Sequence, residues 1–144
     1  GFGQTKATHG EVLTEFSLAP LAPGSASIYL KYHDRQSMDM TVAGIGAYVE
    51  PDPAKEVIKD IRLALAGAAP IVVRAKPAED ILRGKPPSDE NLMAAAEAAC
   101  DQASPRSNSW RASPGYRLDL IRNLTQRAIK AAWDKAAGGE KATS

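Results

Sequence analysis

With 144 residues, 44% apolar and 24% charged, the chain has the makings of one domain around one core. Eighteen Lys and Arg against seventeen Asp and Glu leave a net charge of +1, which excludes a general electrostatic attraction to nucleic acid or membrane. The single Cys100 excludes an internal disulfide, a Cys-based zinc site and an iron–sulfur cluster held by this chain alone, and it points to a reducing, cytoplasmic setting.

In chain order, the first 25 residues read as an approach to the core. Val12 to Leu18 has the composition of one strand, and Ala19-Pro20-Leu21-Ala22-Pro23-Gly24 breaks it. Ile28, Leu30 and Tyr32 then alternate with Tyr29, Lys31 and His33, the period of a half-buried strand. Thr41 to Val49 is small and apolar on both faces and reads as a central strand. Its Gly44 and Gly46 share a face and leave room for a helix or another backbone. Glu50-Pro51-Asp52-Pro53 reads as a turn. Ile61, Leu63 and Leu65 alternate with Asp60, Arg62 and Ala64 as a third strand. Short links between successive strands favour antiparallel pairing. Gly67-Ala68-Ala69-Pro70 reads as a bend.

Helices follow. Pro77 suits the first turn of a short one, which Gly84 and Pro86 end. Ser88 caps the next, with Asp89 and Glu90 in its first turn and Leu92, Ala95, Ala96, Ala99 and Ala103 as its apolar face. Ser104 to Ser113 is a polar loop. A long helix runs from Pro114 to Ala137 with Leu118, Ile121, Leu124, Ala128 and Ala132 as its buried stripe. The tail, 138–144, is expected to fray. Strands first and helices second is an α+β pattern, a three-stranded antiparallel sheet against about three helices. No apolar run reaches membrane-spanning length, and no signal peptide is visible.

Few residues carry chemistry by type and spacing alone. Lys31, Arg35 and Asp39 form either a ligand-contacting set or an ordinary ion pair at a strand edge. Tyr29 and Tyr32 face opposite ways, so one belongs to the core and the other is free to stack on something planar. His9 and His33 lack metal-ligand spacing. Cys100 lies near an apolar helix face and reads as a buried, inert thiol. Trp110 and Trp133 read as packing or interface residues. Gly1-Phe2-Gly3 is too short for a phosphate loop. No nucleophile–base arrangement and no metal cluster is evident.

Several stretches together resemble the C-terminal domain of the FAD-binding (medium) subunit of molybdenum hydroxylases, the family of carbon monoxide dehydrogenase, xanthine dehydrogenase and 4-hydroxybenzoyl-CoA reductase. They are Gly10 to Phe16, Tyr29-Leu30-Lys31 through Met38-Asp39-Met40, Ile61 to Pro70, Val73-Arg74-Ala75, Trp110-Arg111-Ala112-Ser113 and Tyr116-Arg117. Their order runs across almost the whole chain.

The resemblance implies a domain over 26–137 that completes a flavin site. Residues 1–25 would be the end of a preceding FAD-binding domain and its linker, so a fragment or a separately encoded part of a flavin subunit is expected. It implies FAD held mainly by that preceding domain, with molybdopterin and [2Fe–2S] clusters on partner subunits. By position, Tyr29 and Lys31 match residues beside the flavin and Asp39 the acidic residue that follows. Xanthine-oxidising members have an acidic residue where this chain has Met38, which argues against NAD as the electron acceptor. The alternative is a non-catalytic interaction domain that kept the fold without the flavin.

Overall fold

A computed structural model describes residues 4–35, 39–52, 54 and 56–138. Among the described residues four strands pair antiparallel in chain order: β1 (Ala26–Tyr32), β2 (Ala43–Asp52), β3 (Val57–Ala66) and the two-residue β4 (Val73–Arg74). Three helices follow: α1 (Lys76–Leu82), α2 (Asp89–Asp101) and α3 (Pro114–Ala136). The expected α+β sheet-and-helix architecture is therefore present, with one short strand more than the three anticipated. Among the described residues no helix is long and apolar enough to cross a membrane.

The core lies between the sheet and the helical layer. On β2, Ala43, Ile45, Ala47 and Val49 point inward and are at most 1% exposed. On β3, Ile58, Ile61, Leu63 and Leu65 do the same. The three-residue step from Ile58 to Ile61 breaks the period of two, and a register shift at Glu50/Pro51 absorbs it. A proline cannot donate to the ladder, so a bulge is where a strand tolerates one. The expected turn at Glu50–Pro53 therefore begins later: Glu50, Pro51 and Asp52 belong to β2, and Pro53 lies outside the described residues.

The helix α3 lies across β1 and β2, α1 packs on β3, and α2 bridges α1 and α3. Ile121, Leu124, Ala128, Ile129 and Ala132 form the buried stripe of α3. Both longer helices start as their caps dictate. Ser88 Oγ accepts from Asn91 N at 3.3 Å, and Ser113 Oγ accepts from Tyr116 N at 3.2 Å. Each such cap contributes about 1 kcal/mol. Buried Glu79 of α1 accepts from Leu63 N and from both Nε and Nη2 of Arg74, each at 2.8 Å, which pins β4 and α1 to β3.

The strand expected at Val12–Leu18 is absent. Those residues form no ladder, and Val12, Leu13, Phe16 and Leu18 are all more than two-thirds exposed. A strand needs a partner, and this segment pairs with none of the four strands. Residues 139–144 of the expected tail, with Gly1-Phe2-Gly3, lie outside the described residues.

Gly67, after β3, is held at φ +70, and a Cβ there would sit 2.7 Å from the Val42 carbonyl oxygen. Gly84 has φ +77 but open space around it. Gly84→Ala is expected to cost about 1 kcal/mol from the left-handed conformation alone. Gly67→Ala is expected to exceed it by at least ~1 kcal/mol, because backbone must move as well. Urea denaturation of both variants checks the difference; equal midpoints would show that the two strands do not close on each other here.

Candidate functional site

The helices cover one face of the sheet, and the strands must send every second residue to the other. On that open face Tyr29 is paired across the ladder with Gly46, and Lys31 with Gly44. Gly46 is in turn paired with Ala64, and Gly44 with Ala66. The middle of the face is thus built of glycine and alanine and has almost no relief. Tyr29 lies down on it: a Cβ on Gly44 would meet the Tyr29 Oη at 2.5 Å, and one on Gly46 would meet its ring at 4.0 Å. The two glycines admit an aromatic ring, not the helix or backbone that their placement suggested. Tyr29 remains 55% exposed.

Lys31 stands beside this ring on the same face and is exposed. Among the described residues no carboxylate pairs with it. The far end of the face differs. There the Arg62 guanidinium sits 5.3 Å from the Tyr48 ring centroid, and Glu50 takes Lys59 Nζ and the Tyr48 hydroxyl. Charge is satisfied at that end and left open at the Lys31 end. On the other side of β1, Ile28 and Leu30 are half-buried against the core, and Tyr32 meets Tyr116 edge-on with centroids 6.0 Å apart.

Asp39 is placed differently from the two β1 residues. Its side chain is 1% exposed. Oδ2 accepts from Asp34 N at 2.7 Å and Arg35 N at 2.8 Å, and Oδ1 accepts from Met40 N at 2.8 Å and Arg111 Nη1 at 3.1 Å. The Arg35 amide above all holds the carboxyl below its ordinary range. Burial opposes it, and the Met40 and Asp34 amides and Arg111 add to it. The Arg35 guanidinium stands 4.0 Å from Asp39 Oδ1, on a side chain that is largely exposed. The structure thus brings Tyr29 and Lys31 together on one surface and puts Asp39 inside the loop that follows them. Met38 lies outside the described residues.

Two arginines that spacing did not single out as functional hold this end of the sheet. Arg111, before α3, binds Asp39 and stacks 4.5 Å from the Trp110 ring. Arg117, in the first turns of α3, is 8% exposed. Its Nη1 donates to Val42 O and, at 3.3 Å, to Gly67 O; its Nη2 donates to Ser109 Oγ at 2.8 Å. The signal for Arg117 was present in the chain: it stands four residues before Ile121, on the apolar stripe of α3, where a charge has to have a reason. Cys100 is buried as expected, and burial pushes its thiol up. Trp110 is 85% exposed, whereas Trp133 packs on the core.

The model of the CO dehydrogenase flavoprotein C-terminal domain family matches residues 28–132. A xanthine dehydrogenase FAD-binding subunit from Escherichia coli is 34% identical over 141 residues, 97% of this chain and 47% of that protein. The carbon monoxide dehydrogenase medium chain of Hydrogenophaga pseudoflava is 28% identical over 137 residues, 95% of this chain and 46% of that one. A solved carbon monoxide dehydrogenase from the same organism, lacking the Mo-pyranopterin moiety of its molybdenum cofactor, superposes with a TM-score of 0.74 at 30% identity, over 80% of this chain and 39% of that one. The chain spans about half the length of the relatives it matches.

Asp39 supplies a pH test. A carboxyl depressed by folding stabilises the fold above its unfolded value of ~3.9 and loses that contribution as pH falls toward its folded value. Asp39→Asn is expected to be less stable than wild type at neutral pH, and the gap is expected to shrink below about pH 4. Urea melts across that range measure it; a gap independent of pH would show that the charge is not what the loop binds.

Proposed function

The chain belongs to the CO dehydrogenase flavoprotein C-terminal domain family, and from that premise we propose that it completes the flavin site of the FAD-containing subunit of a molybdenum hydroxylase and docks partner subunits for electron transfer from iron–sulfur clusters to FAD. In this reading the preceding FAD-binding domain holds most of the cofactor. An iron–sulfur subunit carries the [2Fe–2S] clusters, and a molybdenum subunit carries molybdopterin and selects the substrate. Residues 26–137 are the domain proper, and the exposed apolar side chains of Val12, Leu13, Phe16 and Leu18 would be covered by the rest of the flavin subunit.

The observation that carries the proposal is the open sheet face. An aromatic ring lying on two glycines, with a lysine beside it that no carboxylate neutralises, fits a flat, electron-accepting ring system better than it fits a protein side chain. FAD supplies a two-electron carrier when bound. The chain's own part is to bind and tune. Tyr29 offers a stacking plane whose tilt the glycines fix. Lys31 offers a positive charge that favours the reduced, more negative form of a neighbouring cofactor. Asp39 holds the loop after β1 and so fixes where Lys31 stands.

In the intact subunit, Tyr29→Ala is expected to weaken FAD retention about three- to tenfold, the worth of one aromatic contact. Lys31→Ala is expected to lower the flavin midpoint potential by on the order of 30 mV. Both are expected to slow flavin reoxidation and leave substrate oxidation at molybdenum unchanged. Stopped-flow separation of the two half-reactions checks this. If neither variant touched the flavin half-reaction, a non-catalytic interaction domain would be the better reading.

The 144-residue chain by itself is expected to bind FAD weakly or not at all, because no glycine-rich loop in it cradles a pyrophosphate. Flavin fluorescence titration measures this. Tight, stoichiometric quenching would relocate the site.

A further inference from the structure

At the end of the sheet where β2 begins and β3 ends, a cavity of about 80 Å³ is lined by Arg106, Arg111 and Arg117 together with Met40, Thr41 and Gly67. A water's share of liquid volume is ~30 Å³. The space therefore exceeds one ordered water, while it is too small for a nucleotide or a flavin. Three arginines line so small a space, and a guanidinium buried among like charges needs a compensating anion or acceptor.

Arg111 has one: it is committed to Asp39 at 3.1 Å, with Asp34 farther off at 3.9 Å. Arg117 has none among the described residues. It is 8% exposed, the acceptors it reaches there are neutral oxygens, and its buried Nε–H has no hydrogen-bond partner among them. The charged groups that act on it are Arg106 and Arg111, both cations, and with burial they push its guanidinium down from the ordinary arginine value. A buried cation facing two others, with a cavity beside it, is costly unless something anionic enters.

We propose that this cavity is a binding site for a small tetrahedral oxyanion, either free phosphate or sulfate or the terminal phosphate group of a larger molecule, held by Arg106, Arg111 and Arg117. Guanidiniums suit such an ion because their planar forks donate paired hydrogen bonds to its oxygens. The anion neutralises the cluster that joins β2, β3 and α3, so its binding stabilises the fold by mass action.

The test is isothermal titration calorimetry of the 144-residue chain with sodium phosphate at neutral pH, ionic strength being held constant with sodium chloride. Saturable one-site binding is expected, with a dissociation constant on the order of 1 mM, and sulfate should compete. Arg106→Gln, at an exposed position, should weaken binding about tenfold. Arg62→Gln, on the open sheet face, should leave it unchanged. Adenosine monophosphate separates the two sources: a site for the free ion takes phosphate and rejects the nucleotide, and a site for a terminal phosphate takes both. The proposal is overturned if no saturable heat survives constant ionic strength, or if Arg106→Gln and Arg62→Gln affect binding equally. No flavin enters the experiment, so the result is independent of the flavin reading.

Discussion

A sheet covered on one side only has to divide each strand between two solvents, and β2 shows how completely the chain does so. Its inward residues, Ala43, Ile45, Ala47 and Val49, meet α3 and are sealed from water. Its outward residues include Gly44 and Gly46, which contribute no side chain at all. Burial of the inward set stabilises the fold, at ~25 cal/mol per Å² of apolar surface removed from water. The outward set is relieved of that duty, so its composition is free to follow another requirement. Two glycines in the interior of a central strand lower its intrinsic stability. They make sense where something must approach the backbone closely, and in this chain the Tyr29 ring does so.

The open face ends where apolar packing gives way to a polar lock. Arg117 draws the Val42 and Gly67 carbonyls together from α3, and Gly67 has no Cβ to keep them apart. Removing the guanidinium would leave two carbonyls, one just before β2 and one just after β3, without their donor, which costs more than the bonds themselves return. A buried cation is an expensive way to join two strands when Leu or Ile would do. Its retention here is consistent with a second use for the same charge.

Much of this architecture was legible in the chain. The alternation of Ile61, Leu63 and Leu65 with Asp60, Arg62 and Ala64, the serine Ser88 ahead of an apolar stripe, and the length of α3 depend on near neighbours alone, and all were readable. So was the shared face of Tyr29 and Lys31, which follows from a period of two. What eluded the reading depends on distant partners. Val12 to Leu18 has strand composition but pairs with no strand. The bulge at Glu50/Pro51 is a matter of register between two strands. The burial of Asp39 needs Arg111, 72 residues farther along. Arg117 was readable in principle, as a charge on a buried stripe, but its carbonyl partners were not.

The placement of Asp39 changes what an acidic residue after β1 can mean for the site. A carboxylate at a flavin edge would act by its charge, raising the cost of adding electrons nearby. Asp39 is sealed in, and amides and Arg111 already neutralise its charge, so little field is left to project. Its influence is geometric. The Val42 amide donates to the Tyr32 carbonyl, and that bond continues the β1–β2 pairing up to the loop. Asp39 then accepts from the Asp34 and Arg35 amides and so ties the end of β1 to the start of β2. Lys31 is one residue before Tyr32, and its position on the open face is set by the same closure. Under the proposed function, Asp39 is therefore a positioning residue: it acts on the open face through β1, where Tyr29 and Lys31 stand exposed.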